Sequence, residues 1–144
     1  MSISKKAFAA LLAVFALVVT SCMVVQEQPV GPQGAVEGVR YNRFSGGLTA
    51  KLGCSMFEAD KAVKETAKKH QLLPLTQRNQ QRNVVYEYKN IYEDRVDFAL
   101  KEKKDGVWLF IKMGKSGDRA FSRQLLSDIA DRIPVQEVQD GAAE

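Results

Sequence analysis

Imidazole and thiol groups are scarce in this 144-residue chain: one histidine, His70, and two cysteines, Cys22 and Cys54, while its acidic residues do not cluster in a way that suggests metal or glycosidic chemistry. A hydrolytic triad or a zinc site would set His70 near a nucleophile or further ligands. It falls instead at the end of a helical pattern, on the apolar stripe, where a half-buried imidazole is stabilised by the helix dipole. Cys54 precedes a helix start, a position that can lower a thiol pKa and make it reactive. The plainer alternative is a small side chain filling part of the core. Glu93-Asp94 falls in a hairpin turn, where acids are ordinary. Phe44-Ser45-Gly46-Gly47 lacks the lysine and the strand-before-helix setting of a phosphate loop. The pattern assigns no catalytic residue, no metal site, no cofactor and no small-molecule substrate, and it predicts that the protein is not an enzyme. A hydrolase or thiol-dependent enzyme is the alternative, and needs His70 or Cys54 exposed in a pocket beside complementary groups.

Cys22 sits in a different context. Lys5 and Lys6 are followed by an apolar run from Ala7 to Val19, 13 residues long. A membrane span needs about 20 residues, whereas the apolar part of a secretory signal needs roughly 7–15. Then comes Val19-Thr20-Ser21-Cys22: an aliphatic residue, two small ones, and a thiol. This resembles the lipobox of bacterial lipoproteins, in which cleavage falls before the cysteine and its sulfur carries acyl chains such as palmitate. The resemblance makes Cys22 the lipidation site and residues 1–21 a signal peptide. A competing reading is an uncleaved signal anchor, because only Thr20 and Ser21 separate the run from Met23-Val24-Val25. By resemblance to Gram-negative lipoproteins, Met23 rather than Asp after the anchor implies an outer-membrane location facing the periplasm.

Residues 22–40 read as a flexible tether, since Gln26 to Gly34 is rich in Gln, Pro and Gly and favours solvated, extended backbone. Residues 41–134 are the expected domain, and 135–144 an acidic tail expected to be disordered. Removing residues 1–21 takes away Lys5 and Lys6 and no acid, leaving 19 basic side chains against 17 acidic ones. That near balance does not make a nucleic-acid surface. A single cysteine beside the lipidated one leaves no internal disulfide, so the domain must be held by its core.

The elements follow from periodicity. Gly47 to Leu52 alternates and predicts a strand. Ser55 and Glu58 have the spacing of a capping box, opening a helix to about His70 with Met56, Ala59, Val63, Thr66, Ala67 and His70 in one inner stripe, flanked by Ala62. Lysines on the outer side, interleaved with Glu58 and Glu65, read as a solvated face, with contact to anionic lipid or polymer as the alternative. Leu73-Pro74-Leu75 begins a short strand, its proline marking an edge or a strand start, and 79–82 predicts a turn. Val84 to Lys89, Val96 to Leu100 and Val107 to Met113 predict three further strands. Asp105-Gly106 predicts a type I′ hairpin turn, setting Leu100 opposite Ile111 and Phe98 opposite Met113. Asp118 caps a last helix in which Phe121, Leu125, Ile129 and Ile133 recur every four residues. The expected fold is α+β, a two-layer sandwich of order β-α-β-β-β-β-α, with a mainly antiparallel sheet and both helices on one face.

Gly47, Leu48, Ala50 and Leu52 in the first strand resemble small bacterial lipoproteins that carry a domain of unknown function. So do Gly114, Gly117-Asp118 and Ser122 with Leu125 and Ile129. The resemblance spans residues 47–133. It implies this fold and an envelope location, and brings no catalytic residues.

One feature is left over. If Leu109, Ile111 and Met113 face the core, Trp108 and Phe110 point to the other side of the sheet, where an apolar patch marks a partner site. The expected register supplies an alternative: Lys103 opposite Trp108 and Lys101 opposite Phe110, with lysine stems lying over both rings. The resulting expectation is a lipid-anchored, non-catalytic binding or structural module of the cell envelope. Its candidate surface is Trp108, Phe110, Lys101 and Lys103, and its partner an envelope protein or the membrane surface.

Overall fold

The computed structural model describes residues 24–26, 31 and 35–134. Residues 1–23 with the expected signal and Cys22, residues 27–30 and 32–34 of the expected tether, and the tail lie outside them. The described elements are β1 (Val24–Gln26), β2 (Val36–Asn42), β3 (Gly47–Leu52), α1 (Met56–Lys69), β4 (Leu73–Gln80), β5 (Asn83–Lys89), β6 (Arg95–Lys103), β7 (Gly106–Met113) and α2 (Arg119–Arg132). The fold is α+β, as the periodicity predicts.

Local chemistry sets the helix ends. The Ser55 hydroxyl accepts from the Glu58 N–H at 3.3 Å, and the Glu58 carboxylate accepts from the Ser55 N–H at 2.8 Å. α1 therefore starts at the expected capping box. It ends where Gln71 adopts φ 54°, letting the Leu72 N–H reach the Ala67 carbonyl at 2.9 Å and tucking Leu72 into the core. This is a Schellman cap with glutamine where glycine is usual. Asp118 accepts from the Phe121 N–H at 2.9 Å and caps α2.

All neighbouring strands pair antiparallel, in the order β1-β2-β3-β7-β6-β5-β4. Core side chains line up across them: Leu48, Ile111, Phe98 and Tyr86 form one row, and Ala50, Leu109, Leu100 and Val84 the next. α1 contacts α2 and β6, and α2 also contacts β3 and β7. Their small inner residues, Ala59, Ala62 and Ala67 on α1 and Ser122 and Ala130 on α2, are fully buried. The buried apolar faces of helices and sheet thus meet in one core.

Three expectations need correction. Residues 36–40, expected in the tether, belong to β2, which runs on to Asn42: Val36 and Val39 are buried in the core, as is Tyr41. The two-residue alternation is masked there because a bulge falls between Glu37 and Arg40. Gly38 at φ 58° takes the extra residue, spacing the inward side chains three and then two apart. With β1 added, the order is β-β-β-α-β-β-β-β-α.

The β6–β7 loop is Lys104-Asp105, closed by Lys103 opposite Gly106. Neither loop residue has positive φ, while Gly106 has φ 135°, so the turn is not type I′ and the register moves by two. Leu100 faces Leu109, and Phe98 faces Ile111. A shift of two leaves every side chain on its expected face.

Finally, β4 is a full edge strand from Leu73 to Gln80, exposed throughout, and the turn after it narrows to Gln81-Arg82. Its outer edge has no strand partner among the described residues, and the bulge at Pro74 interrupts its pairing, which fits proline at an edge.

Candidate functional site

His70 is drawn into the helix packing. Its Nε2 lies 2.5 Å from Asp128 Oδ2, and Lys69 Nζ donates to Asp128 Oδ1 at 2.7 Å. The Phe121 ring stands edge-on to the imidazole, with centroids 5.6 Å apart. His70 and Asp128 side chains are only 13% and 14% exposed. Burial works to raise the Asp128 pKa, but the hydrogen bonds and charges of Lys69 and His70 outweigh it and hold the carboxyl below its usual range. The arrangement joins the end of α1 to α2.

Cys54 is half-buried against the core. Burial first, and the Glu58 charge second, push its thiol up to about 11, opposite to the direction a helix N-terminus alone would give. It lines a shallow cleft of about 400 Å³ with Glu37, Lys51, Leu52, Ser55 and Asp105. At neutral pH the sulfur is a protonated thiol and a poor nucleophile. Tyr86, buried in β5, donates to Asp60 on α1, whose other oxygen holds Lys64 at 3.0 Å. Among the described residues, no group of three or more His, Cys, Asp or Glu side chains is arranged to hold a metal ion.

The sheet face carrying Trp108 and Phe110 divides into two halves. On β4–β6, charges satisfy one another. Glu87 accepts from Arg78 at 2.5 Å and Arg95 at 2.9 Å, and Arg95 also donates to Asp97 at 2.7 Å. On β7, beside β3, stand the two aromatics, both half-buried. Trp108 donates its indole N–H to Asp105 at 3.1 Å, and Lys103 Nζ sits 4.9 Å from the ring centroid. The Phe110 ring packs on Gly47, where a Cβ would come within 2.2 Å of its Cε2 atom. A side chain at position 47 would therefore displace the Phe110 ring, while the Gly47 backbone itself makes no demand for glycine.

The cross-strand neighbours differ from expectation. Lys101 is opposite Trp108, Ala99 opposite Phe110, and Lys103 opposite Gly106. Lys103 still covers Trp108, from the diagonal position. No lysine stands opposite Phe110, and Ala99 and Val85 continue its row instead. The residue pattern missed the Glu87–Arg95 network, because its members come from three strands whose register must be known first.

The fold and this surface describe a small α+β domain whose candidate reactive groups are built into its packing. The chain matches the family described as "Protein of unknown function (DUF3568)" over residues 5–132. It belongs to that family. Comparison with curated proteins gives no match.

Proposed function

We propose that this protein is a lipoprotein of the cell envelope, cleaved before Cys22 and anchored by acyl chains on it. Its domain serves as a non-catalytic binding or structural module. The observation that carries the anchor is the sequence Val19-Thr20-Ser21-Cys22 behind a 13-residue apolar run, too short to span a bilayer. The family match runs from residue 5 and so takes in this leader. An outer-membrane location facing the periplasm follows from Met23 after the anchor.

The module reading rests on what the reactive groups do. His70 is tied to Asp128, and the Cys54 thiol is held protonated. A hydrolase built on His70 would need a nucleophile at the other ring nitrogen, and a thiol enzyme would need a lower thiol pKa. The finer architecture we read is two layers, with both helices on one side and the Trp108–Phe110 face open on the other. Phe110, continued by Ala99 and Val85, forms the apolar centre of the binding face, with Trp108, Lys101 and Lys103 beside it.

Crosslinking from intact cells tests this reading. Trp108→Thr with Phe110→Thr should lose the crosslinked envelope partner while the protein stays folded and membrane-bound. Unchanged crosslinking would remove this face from the account.

A further inference from the structure

The sheet has an end at which chain entry and exposed apolar side chains coincide. Val24 pairs with Asn42, Asn42 with Gly47, Gly47 with Lys112, and Lys112 with Asp97, so one register row crosses β1, β2, β3, β7 and β6. Beyond that row project two hairpin loops, 43–46 and 90–94. β1 runs antiparallel to β2, so the chain enters β1 from the side of these loops. Cys22 precedes Val24 by two residues, a span of at most about 7 Å.

Both loops are built by the same device. The Asn42 side chain accepts from the Phe44 and Ser45 N–H groups at 2.9 and 3.1 Å. The Asn90 side chain accepts from the Tyr92 and Asp94 N–H groups, both at 2.9 Å. Each asparagine folds its loop back on itself and leaves an aromatic side chain two residues later standing outward. Phe44 is 80% exposed, Tyr92 77% and Ile91 69%. Leu73, opposite Lys89 at the same end, is also exposed. By contrast, Phe57 opens α1, which begins at the far end of β3.

Loop tips that face only water have no need of apolar side chains held out rigidly. The Tyr92 ring, with its polar hydroxyl edge, suits the boundary between lipid headgroups and acyl chains, and the wholly apolar Phe44 and Ile91 suit the acyl side of it. Exposed charges of both signs border the tips: Arg43 and Lys115, which suit headgroup phosphates, and Glu93 and Asp94, of which Glu93 is paired with Lys89 at 2.9 Å. We propose that this end, through Phe44, Ile91 and Tyr92, rests in the surface of the bilayer that holds the anchor. The proposal builds on the lipoprotein reading and changes one consequence of it: the domain does not stand off on a long tether but sits against the membrane. The sheet then stands on end, and Trp108 is held clear of the lipid, four residues of β7 from Lys112, or about 14 Å.

The test uses the full, acylated chain in vesicles whose lipids carry bromine on the acyl chains. Trp108, the single tryptophan, serves as an internal reference, and Phe44→Trp and Tyr92→Trp each add one indole at a loop tip. The expected result is that the bromines quench most of the added emission and leave that of Trp108 intact. If the chain is acylated and the added indoles stay bright, the tips face water, a second copy or a protein, and the docking proposal is overturned while the lipoprotein reading survives. Quenching of Trp108 instead would place the open sheet face on the bilayer and overturn it equally. If the intact mass shows no acyl chain, the lipoprotein reading falls and the docking proposal falls with it.

Discussion

His70 Nε2 and Asp128 Oδ2 lie 2.5 Å apart, fastening the C-terminal cap of α1 to the middle of α2. Because the Asp128 carboxyl is held below its usual range, its folded pKa lies below the unfolded one. The carboxylate therefore adds stability that is present above the unfolded value, about 3.9, and is lost as the pH falls through the folded value. Asp128→Asn should cost about 1–3 kcal/mol near neutral pH. In urea melts the gap to the wild type should narrow in acid. A gap that widens in acid would assign the contact a different ionisation.

The β6–β7 register makes a second prediction. Leu100→Ala and Ile111→Ala should each cost about 2–5 kcal/mol, since both side chains are fully buried and truncation leaves a cavity. Leu100 directly opposes Leu109. A double-mutant cycle on that pair should therefore show a larger coupling than one on Leu100 with Ile111. The reverse order would restore the register that Asp105-Gly106 suggests.

The helices and their caps are legible in residue types alone, because Ser55, Glu58 and Asp118 act within one turn of chain. The faces of β3, β5, β6 and β7 are legible from alternation, and survive even the two-residue slip at Lys104-Asp105. β2 is not legible, because Gly38 inserts a residue and breaks the period. β1 hides for another reason: three residues are too few to show any period. The surface is half legible. That Trp108 and Phe110 share a side follows from counting, whereas the cover over each depends on register and on Gly47. The exposed tips at Phe44 and Tyr92 look like ordinary loops until pairing places them at one end.

Gln71 offers a gain of stability. A non-glycine residue at φ 54° carries a cost of roughly 1–2 kcal/mol for the left-handed conformation, partly offset by glycine's greater freedom when unfolded. Gln71→Gly should thus stabilise the domain by about 0.5–1 kcal/mol, seen as a higher denaturation midpoint with an unchanged slope. A lower midpoint would mean that the Gln71 side chain contributes contacts of its own.

Trp108→Thr with Phe110→Thr should lower stability by about 1–2 kcal/mol in total, less than truncating Leu100 or Ile111 alone. Both rings are half-buried and threonine keeps the strand preference. Equilibrium unfolding of the double variant checks this. Complete unfolding would mean that the open face is part of the core, and the binding-face proposal would fail with it.

The intact mass of the protein extracted from membranes bears most directly on the proposal that Cys22 carries the anchor. Lipid anchoring at Cys22 predicts a chain that begins there, with residues 1–21 removed and the mass of acyl chains added. It also predicts that Cys22→Ser accumulates as an unacylated precursor. A membrane-bound chain that retains residues 1–21, carries no acyl mass and is unaffected by Cys22→Ser would contradict it, and would make the N-terminal run an uncleaved anchor.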